Sequence, residues 1–356
     1  MDSSELIHLI RLLSSRGVAR SSVRRVVRET WRSGGSAVDA IDRLHRDAAA
    51  AFPSQRAARG ELAAIDRLGL FVIEARDDAF PPLLREIPDA PLALFVRGDP
   101  AALAAALSVA VIGSRRASAS GSAFASALAQ DLARAGIVVV SGLARGIDGA
   151  AHRGALEGGG VTVAAMGGGH ARVYPPSHRG LASCIVESGA LVCEYPPSTA
   201  PLPANFPERN RIISGLSAAV VIVEATRHSG TSITARMALE QGRDVMAVPG
   251  SVGDGLHSGC HRLIRQGALL VEGVADVLEG LGLTPPAASA AVPSDRLHAR
   301  ILEAMGWSAT TLHDIVESLG IPVEETLSAL VELELEGFVT SHGGGYIRRP
   351  LTTREP

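Results

Sequence analysis

Four short segments of the sequence combine glycine with arginine, histidine or hydroxyl side chains, and three of them suit phosphate binding. A glycine lets the backbone approach an anion, an arginine donates paired hydrogen bonds, and a serine or threonine donates another. None of the 34 basic residues is a lysine, which excludes a nucleotide site of the P-loop type. We therefore expect an anion site built from arginine, hydroxyl and backbone N–H groups. The segments are residues 113–118 (GSRRAS), 141–148 (SGLARGID), 167–170 (GGGH) and 229–234 (SGTSIT).

A fifth segment, residues 205–216 (NFPERNRIISGL), places two arginines around an asparagine. We predict that Arg209, Asn210 and Arg211 line one polyanion groove together with the hydroxyl groups of the SGTSIT segment. An alternative for Arg211 is a buried ion pair with Glu224, which would stabilise the fold instead of binding a ligand.

Each of the other segments also has a structural interpretation. Residues 113–118 are compatible with a tight turn whose arginines are solvated. Asp148 suits a helix N-cap or another structural acceptor better than a catalytic base. The three glycines of residues 167–169 must lie close to either backbone or ligand, and His170 is more consistent with a structural role.

The elements that carry these segments alternate between strands and helices. Strands separated by helices imply right-handed crossovers and a doubly wound, mainly parallel α/β sheet, here an extended Rossmann-like one. Ligands bind at the carboxyl ends of the strands in such a sheet, and the glycine-containing segments 113–118, 141–148 and 167–170 directly follow strands. The predicted strands are LSVAVIG, GIVVVSG, VTVAAMG, ALVCEY, AAVVIVEA, DVMAVPG and ALLVEG.

The pattern divides the chain into three domains. Residues 1–62 are a small arginine-rich helical domain, either a bundle with a solvated basic face or a SAM-like or helix-hairpin-helix-like module on a DNA backbone. Residues 63–283 are the α/β domain, and a linker rich in Pro, Ala and Ser covers residues 284–294. Residues 295–349 have three helical segments followed by a hairpin, the pattern of a winged-helix domain.

The predicted recognition helix of the winged-helix domain is acidic. No arginine occurs between Ile301 and Ile347. Because DNA binding depends on neutralising phosphate charge, we interpret this domain as a protein-interaction or packing module. The acidic residues of the helix are Glu324, Glu325, Glu332, Glu334 and Glu336.

Composition excludes several other classes of protein. The net charge is −3, and three cysteines without C-x-x-C spacing argue against a disulfide framework and a structural zinc. The longest apolar run, residues 101–113, is too short to span a bilayer. We expect a cytoplasmic protein without membrane insertion, metal or other cofactor.

Several long motifs follow one another over about residues 70–275. They read FPPLLREIPDAPLALFVRG, VIGSRRAS, SGLARGIDGAAHRGAL, NFPERNRIISGLS, SGTSITARMALEQGR and AVPG. In this order they resemble the DprA (Smf) family of DNA-processing proteins. The resemblance implies a Rossmann-like domain that binds single-stranded DNA, a homodimer, and loading of RecA onto incoming strands during natural transformation. It implies no catalytic reaction.

The resemblance also assigns the site. The predicted DNA contacts are Gly113, Ser114, Arg115, Arg116, Ser118, Ser141, Gly142, Arg145, Gly146, Gly167, Gly169, Arg209, Asn210, Arg211, Ser229, Gly230, Thr231, Ser232 and Thr234. Three segments depart from the family pattern: residues 174–178 have no lysine or asparagine, His228 replaces a frequent basic residue, and residues 258–264 read SGCHRLI in place of G-x-N-x-L-I. The groove must therefore use arginines, among which Arg172 is a further candidate.

The dimer contact is predicted in residues 256–264. A short helix there makes Leu263 and Ile264 adjacent apolar positions. A helix turns about 100° per residue, so one of them faces the core and the other faces outward, where a two-fold interface would cover it. The alternative is that both pack inward.

Three other functions fit the residues less well than DNA binding. A nucleoside-monophosphate phosphoribohydrolase of the lysine-decarboxylase-like (LOG) type needs a carboxylate beside the Gly-Thr turn, and after Thr231 the next acid is Glu240. A dinucleotide-dependent oxidoreductase needs G-x-G-x-x-G after the first strand, and this motif is absent. A purely structural partner protein would leave the strand-end segments without a purpose.

Overall fold

The computed structural model describes most of the chain, and three groups of elements follow one another along it. The described residues are 2–48, 50–105, 107–227, 229–253, 255–284, 295–305, 310–336, 338–342 and 345–348. Residues 285–294 of the predicted linker lie outside them. Among the described residues, no helix combines the length and apolar character needed to cross a bilayer.

Four helices precede the sheet: α1 (Ser3–Leu13), α2 (Arg20–Arg32), α3 (Ala37–Ala48) and α4 (Gln55–Leu68). The side chain of Ser54 caps the first turn of α4 by accepting a hydrogen bond from the N–H of Ala57. Gly69 ends α4 in the left-handed conformation. The predicted domain boundary at residue 62 therefore falls inside α4.

Helix α2 is anchored on the α/β part by buried ion pairs. The Arg24 guanidinium donates two parallel hydrogen bonds to the Asp89 carboxylate, each 2.6 Å long. It also donates to Glu194 at 3.2 Å and to Glu208 at 3.0 Å. Arg24 is 5% exposed, and its removal would leave the buried Glu194 with one of its two cations, Arg211. The N-terminal helices are thus held on the sheet domain and not merely tethered to it.

A nine-stranded sheet forms the centre of the molecule, in the order β1-β2-β6-β5-β4-β3-β7-β8-β9. Neighbouring strands from β6 to β9 along this order pair in parallel, which confirms the predicted fold class. β2 pairs antiparallel with β6 and β1 antiparallel with β2, two strands that the sequence analysis did not predict. The strands are β1 (Phe71–Glu74), β2 (Ala93–Gly98), β3 (Ser108–Ile112), β4 (Val138–Ser141), β5 (Thr162–Ala165), β6 (Ala190–Cys193), β7 (Ala219–Ile222), β8 (Asp244–Ala247) and β9 (Leu269–Leu270).

Helices cover both faces of the sheet, and each face has its own apolar core. One core joins the strands to α9, α10 and α11, and the other joins them to α6, α7 and α12. Burial on both faces explains why β3, β4 and β7 are apolar along almost their whole length. The helices are α5 (Pro82–Glu86), α6 (Ala119–Arg134), α7 (Ile147–Glu157), α8 (Arg179–Ser188), α9 (Asn205–Leu216), α10 (Thr231–Glu240), α11 (Ser258–Arg265) and α12 (Val274–Gly280).

The C-terminal part has three helices and a hairpin around a separate small core. They are α13 (Arg296–Ala304), α14 (Leu312–Leu319), α15 (Val323–Leu335), β10 (Val339–His342) and β11 (Gly345–Arg348). The two strands pair antiparallel, and Leu302, Ile315, Leu330 and Val339 are among the buried residues of the core. This is the winged-helix arrangement predicted from the sequence.

Candidate functional site

A cleft opens where the strand order reverses. β3 lies between β4 on one side and β7 on the other, and such a switch point leaves a crevice at the carboxyl ends of the strands. The cleft has a volume of about 370 Å³. Four of the five predicted segments line it, through Gly113, Ser114, Arg115, Ala144, Asp148, Arg209, Asn210, Ser229, Gly230, Thr231 and Thr234. The 167–170 segment does not line it.

Arg115 is the exposed cation of the cleft. It follows β3, and its guanidinium carbon lies 5.4 Å from the centre of the Phe206 ring. Among the described residues it makes no ion pair with a carboxylate, so its hydrogen-bonding groups are available to a ligand. The hydroxyl of Ser114 accepts a hydrogen bond from the backbone N–H of Arg116 at 3.1 Å, which shapes the turn that carries the guanidinium.

The opposite wall of the cleft is the start of α10. Gly230 caps α10, Thr231 is its first residue, and both line the cleft, so the positive end of the helix dipole faces it. The hydroxyl of Ser229 is buried and has no hydrogen-bond partner among the described residues. A ligand oxygen in the cleft would satisfy this donor. Ser232 is partly buried and does not line the cleft.

Two predicted serines serve the fold. Ser118 caps α6, and both its N–H and its hydroxyl donate to the carboxylate of Glu224, two residues after β7. Glu224 therefore pairs with Ser118. The alternative for Arg211, a buried ion pair that stabilises the fold, is found with Glu194 as the partner in place of Glu224. Ser141 is fully buried and donates its hydroxyl hydrogen to the carbonyl of Val111 at 2.7 Å.

The two arginines of α9 are buried. Arg209 is 3% exposed and donates to the carbonyls of Gly142, at 2.6 Å, and Ala165. Its burial lowers its pKa to about 10, so it stays protonated at neutral pH. Arg211 bonds the carboxylate of Glu194. Neither guanidinium is exposed as that of Arg115 is, although Arg209 lines the cleft.

Asp148 contributes a carboxylate to the cleft. Its burial raises its pKa, an effect that the nearby charge of Arg209 and the N–H of Ala144, 3.3 Å away, counteract. It lies in the first turn of α7. The prediction that it is a structural acceptor agrees with these contacts, and the sequence analysis did not foresee its place in the cleft.

The predicted glycines approach other parts of the protein. A Cβ atom at Gly142 would collide with the Arg209 guanidinium, one at Gly146 with the Ser114 carbonyl, and one at Gly169 with residues 196–197. A Cβ atom at Gly167 would lie 2.8 Å from the Phe206 ring. The glycine loop therefore packs against backbone and side chains, one of the two possibilities that the sequence left open.

His170 is also structural. It is 3% exposed, and its Nε2 atom is 2.8 Å from the carbonyl oxygen of Phe95. Burial lowers its pKa to about 4, so the ring is neutral at physiological pH. The predicted structural role fits this environment.

Other predicted positions lie outside the cleft. Arg116 and Arg145 are exposed but do not line it, and Thr226, which was not predicted, does. Thr226 follows β7, and this position after a parallel strand could have identified it as a cleft residue from the sequence. Arg172 is exposed as well, and His228 is outside the described residues.

At the predicted dimer contact, the two apolar side chains differ. Leu263 is 8% exposed and belongs to the core between α11 and the sheet. Ile264 is only partly buried against the same core. Both side chains therefore contact the core, as in the alternative that the sequence left open, and only Ile264 keeps part of its surface exposed. The described residues contain no group of three or more His, Cys, Asp or Glu side chains that could hold a metal ion.

Comparisons with known proteins agree with this architecture. A family model described as DNA recombination-mediator protein A matches residues 71–282, and one described as DprA winged helix domain matches residues 285–345. Protein Smf of Escherichia coli (strain K12) is 42% identical over 292 residues, covering 78% of this chain and 77% of that protein. DNA processing protein DprA of Streptococcus pneumoniae is 46% identical over 202 residues, covering 57% of this chain and 71% of that protein.

Two solved structures are similar as well. The X-ray structure of DprA from Streptococcus pneumoniae matches with a TM-score of 0.66 and 32% identity, covering 78% of this chain and 98% of that one. A structure of DNA processing protein A from Helicobacter pylori, which concerns its single-stranded DNA binding mode, matches with a TM-score of 0.53 and 28% identity, covering 60% and 95%. The chain therefore belongs to the DNA recombination-mediator protein A (DprA) family of DNA-processing proteins.

Proposed function

We propose that this chain binds single-stranded DNA in the switch-point cleft and loads RecA onto incoming strands during natural transformation. The observation that carries the proposal is the position of Arg115, an exposed guanidinium without an ion pair among the described residues, opposite the start of α10. Phosphate contacts supply most of the affinity of proteins for nucleic acids. The single-stranded DNA binding of the Helicobacter pylori relative supports the same ligand.

The contacts divide into two groups. We propose that one phosphate or more is held by the predicted contacts that line the cleft, other than the buried Arg209: Gly113, Ser114, Arg115, Asn210, Ser229, Gly230, Thr231 and Thr234. Arg116 and Arg145, both exposed, would contact the strand where it leaves the cleft. The other predicted residues support the loops: Ser118, Ser141, Gly142, Gly146, Gly167, Gly169, Arg209 and Arg211. Ser232 remains a proposed contact next to the cleft.

We further propose that the cleft catalyses no reaction. Its carboxylate, Asp148, is buried beside Arg209 and bonded to the N–H of Ala144, so its charge is already engaged. The acid of α10, Glu240, is the last residue of that helix, far from the Gly-Thr turn. These positions do not favour the phosphoribohydrolase alternative, which needs a carboxylate at the reacting sugar carbon.

We also propose that the protein acts as a homodimer in the cytoplasm, where RecA and incoming strands meet. β9 is an edge strand of two residues, and Leu269 and Leu270 are 43% and 41% exposed. Ile264, partly buried on neighbouring α11, would extend the apolar surface. Exposed strand edges of this kind are open to pairing with another chain.

Substitution of Arg115 tests the DNA proposal. A hydrogen bond to a charged group contributes about 1.5–3 kcal/mol, so Arg115→Ala should weaken binding of a fluorescent oligonucleotide by about tenfold or more. The slope of log K against log salt should also become shallower, by about 0.7 for each phosphate that the variant no longer neutralises. Fluorescence anisotropy at several salt concentrations measures both quantities. RecA loading on the same strand should decline in parallel.

The matched control is Arg236→Ala. Arg236 lies on α10 with 71% of its side chain exposed and faces an i,i+4 glutamate, so its removal should leave affinity unchanged. Circular dichroism establishes that both variants fold. Wild-type affinity and salt slope in a folded Arg115→Ala variant would overturn the assignment.

A further inference from the structure

One face of α15, in the winged-helix domain, carries apolar side chains that the described part of the chain leaves exposed. Val323, Leu327, Val331 and Leu335 are 52%, 42%, 47% and 80% exposed. They follow one another at intervals of four residues and form a row about 18 Å long, here called the α15 stripe. Scattered exposed apolar residues are common on protein surfaces, whereas contiguous ones mark interaction sites.

The fold of the winged-helix domain does not account for the α15 stripe. The opposite face of α15 already fills the core of that domain, where Thr326, Ala329, Leu330 and Leu333 are buried. A helix of a small surface domain needs one apolar face for its core and is polar on the other. α15 is apolar on both faces, so its second face requires a partner.

The charge around the α15 stripe restricts the kind of partner. Between Ile301 and Ile347 the sequence has eight aspartates and glutamates and neither arginine nor lysine. Glu324, Glu325 and Glu332 are exposed on α15 itself. Such a surface repels the phosphates of DNA and of anionic lipids. Two α15 stripes placed face to face would likewise bring like charges together, which is costly at an interface. The surface therefore fits a basic partner.

We propose that the α15 stripe binds a basic amphipathic helix of another protein. A row of side chains at i, i+4 and i+8 forms a ridge that packs between the ridges of a second helix. Apolar residues of the partner helix would cover the stripe, and its lysines or arginines would lie beside the glutamates, as flanking charges do in paired helices. The stripe lies in a different domain from the cleft, so this partner would bind independently of DNA.

A designed peptide helix is the probe for this surface. It has about 20 residues, with leucines at four-residue intervals and lysines elsewhere, and fluorescence anisotropy follows its binding to the full chain. Leu327→Ser combined with Leu335→Ser should weaken binding about tenfold or more, because both leucines would lose their apolar contacts. Leu239→Ser replaces a leucine that is 62% exposed on α10, and this matched control should bind the peptide like the wild type.

Two further comparisons test the role of charge. Glu324→Gln combined with Glu325→Gln should weaken binding of the peptide several-fold at low salt and have little effect at high salt, where exposed charges are screened. A second peptide, with glutamates in place of the lysines, should bind the wild-type chain about tenfold more weakly or not at all. Equal binding of the two peptides would overturn the proposal.

The double leucine variant separates the possible occupants, once circular dichroism establishes that it folds. Absence of basic-peptide binding to the wild type, or unchanged affinity in this variant, would overturn the proposal. A loss of dimer mass in light scattering would assign the stripe to a second copy, and weakened binding of single-stranded DNA would assign it to DNA, and either result would also overturn it. Loss of basic-peptide binding alone, with mass and DNA affinity unchanged, supports the proposal.

Discussion

At the scale of single residues, arginines that were predicted as contacts of the same ligand lie in different environments. Arg115 is exposed at the cleft, whereas Arg209 is buried and bonded to two backbone carbonyls. Burying a guanidinium is costly unless its donors are paired and its charge is compensated. Asp148 supplies compensating charge to Arg209. We therefore expect the two arginines to affect different properties of the protein, ligand affinity and stability.

Replacement of Arg209 by methionine should destabilise the fold by about 3–5 kcal/mol, because it leaves the buried Asp148 without its cation. Removal of the cation raises the Asp148 pKa further. A raised pKa means that stability is lost as pH rises through it, so the deficit should be small below about pH 4 and largest at neutral pH. Urea denaturation at several pH values measures this dependence.

The matched variant is Arg209→Met combined with Asp148→Asn. Removing both charges should restore part of the stability at neutral pH and abolish the pH dependence of the deficit. A destabilisation below about 1 kcal/mol in the single variant would contradict the buried-pair interpretation.

At the scale of elements, the site depends on contacts between successive strand-end loops. The N–H of Ile147, the first residue of α7, donates to the Ser114 carbonyl at 3.2 Å. Gly146, which has a positive φ of 76°, lets the two segments approach this closely. The loop after β4 therefore sets the position of the loop that carries Arg115.

Gly146→Ala should weaken single-strand binding several-fold as well as lower stability. Gly146 has φ 76° and ψ −128°, a backbone conformation that costs a non-glycine residue about 1–3 kcal/mol. The added methyl group would also press on the Ser114 carbonyl and shift the Arg115 loop. Gly159→Ala is the control, because Gly159 has a φ of 71° but open space around its Cα. It also places a side chain at a positive φ, but it should keep DNA affinity because it presses on no neighbouring loop. Equal affinity of the two folded variants would refute the coupling between the loops.

At the scale of the whole molecule, the two ends of the sheet are covered to different extents. The N-terminal helices pack against the side that includes β2, through the Arg24 ion pairs and through apolar contacts with Leu92 and Ala93. β9 at the other end is short, and its two leucines are substantially exposed. This asymmetry makes the β9 edge the better candidate for contact with a second copy.

Ile264→Arg should convert the proposed dimer into a folded monomer, because it places a charge in the apolar contact beside β9. Light scattering distinguishes the 36.8 kDa chain from twice that mass. Leu263→Arg should instead unfold the domain, since Leu263 is buried in the core. Leu202→Arg, at a leucine that is 54% exposed before α9, is the control and should stay dimeric. A monomeric wild type, or a dimeric Ile264→Arg variant, would contradict the proposed interface.

The sequence by itself determined the parallel sheet, the seven strands from β3 to β9, the winged helix and the strand-end segments. These features follow from local patterns, because β-branched runs, glycine turns and helical periodicity act over a few residues. The resemblance of the motifs to the DprA family also indicated the proposed ligand, single-stranded DNA.

The tertiary structure alone decided which polar residues face the cleft. Arg209 bonds the carbonyl of Gly142, 67 positions earlier in the chain, and Ser118 bonds Glu224, 106 positions later. Burial and partner choice of this kind depend on contacts between distant segments, which short-range patterns do not encode. For the same reason the contacts of Phe206 with Arg115 and Tyr174 could not be predicted from the sequence, since they join three separate segments of the chain.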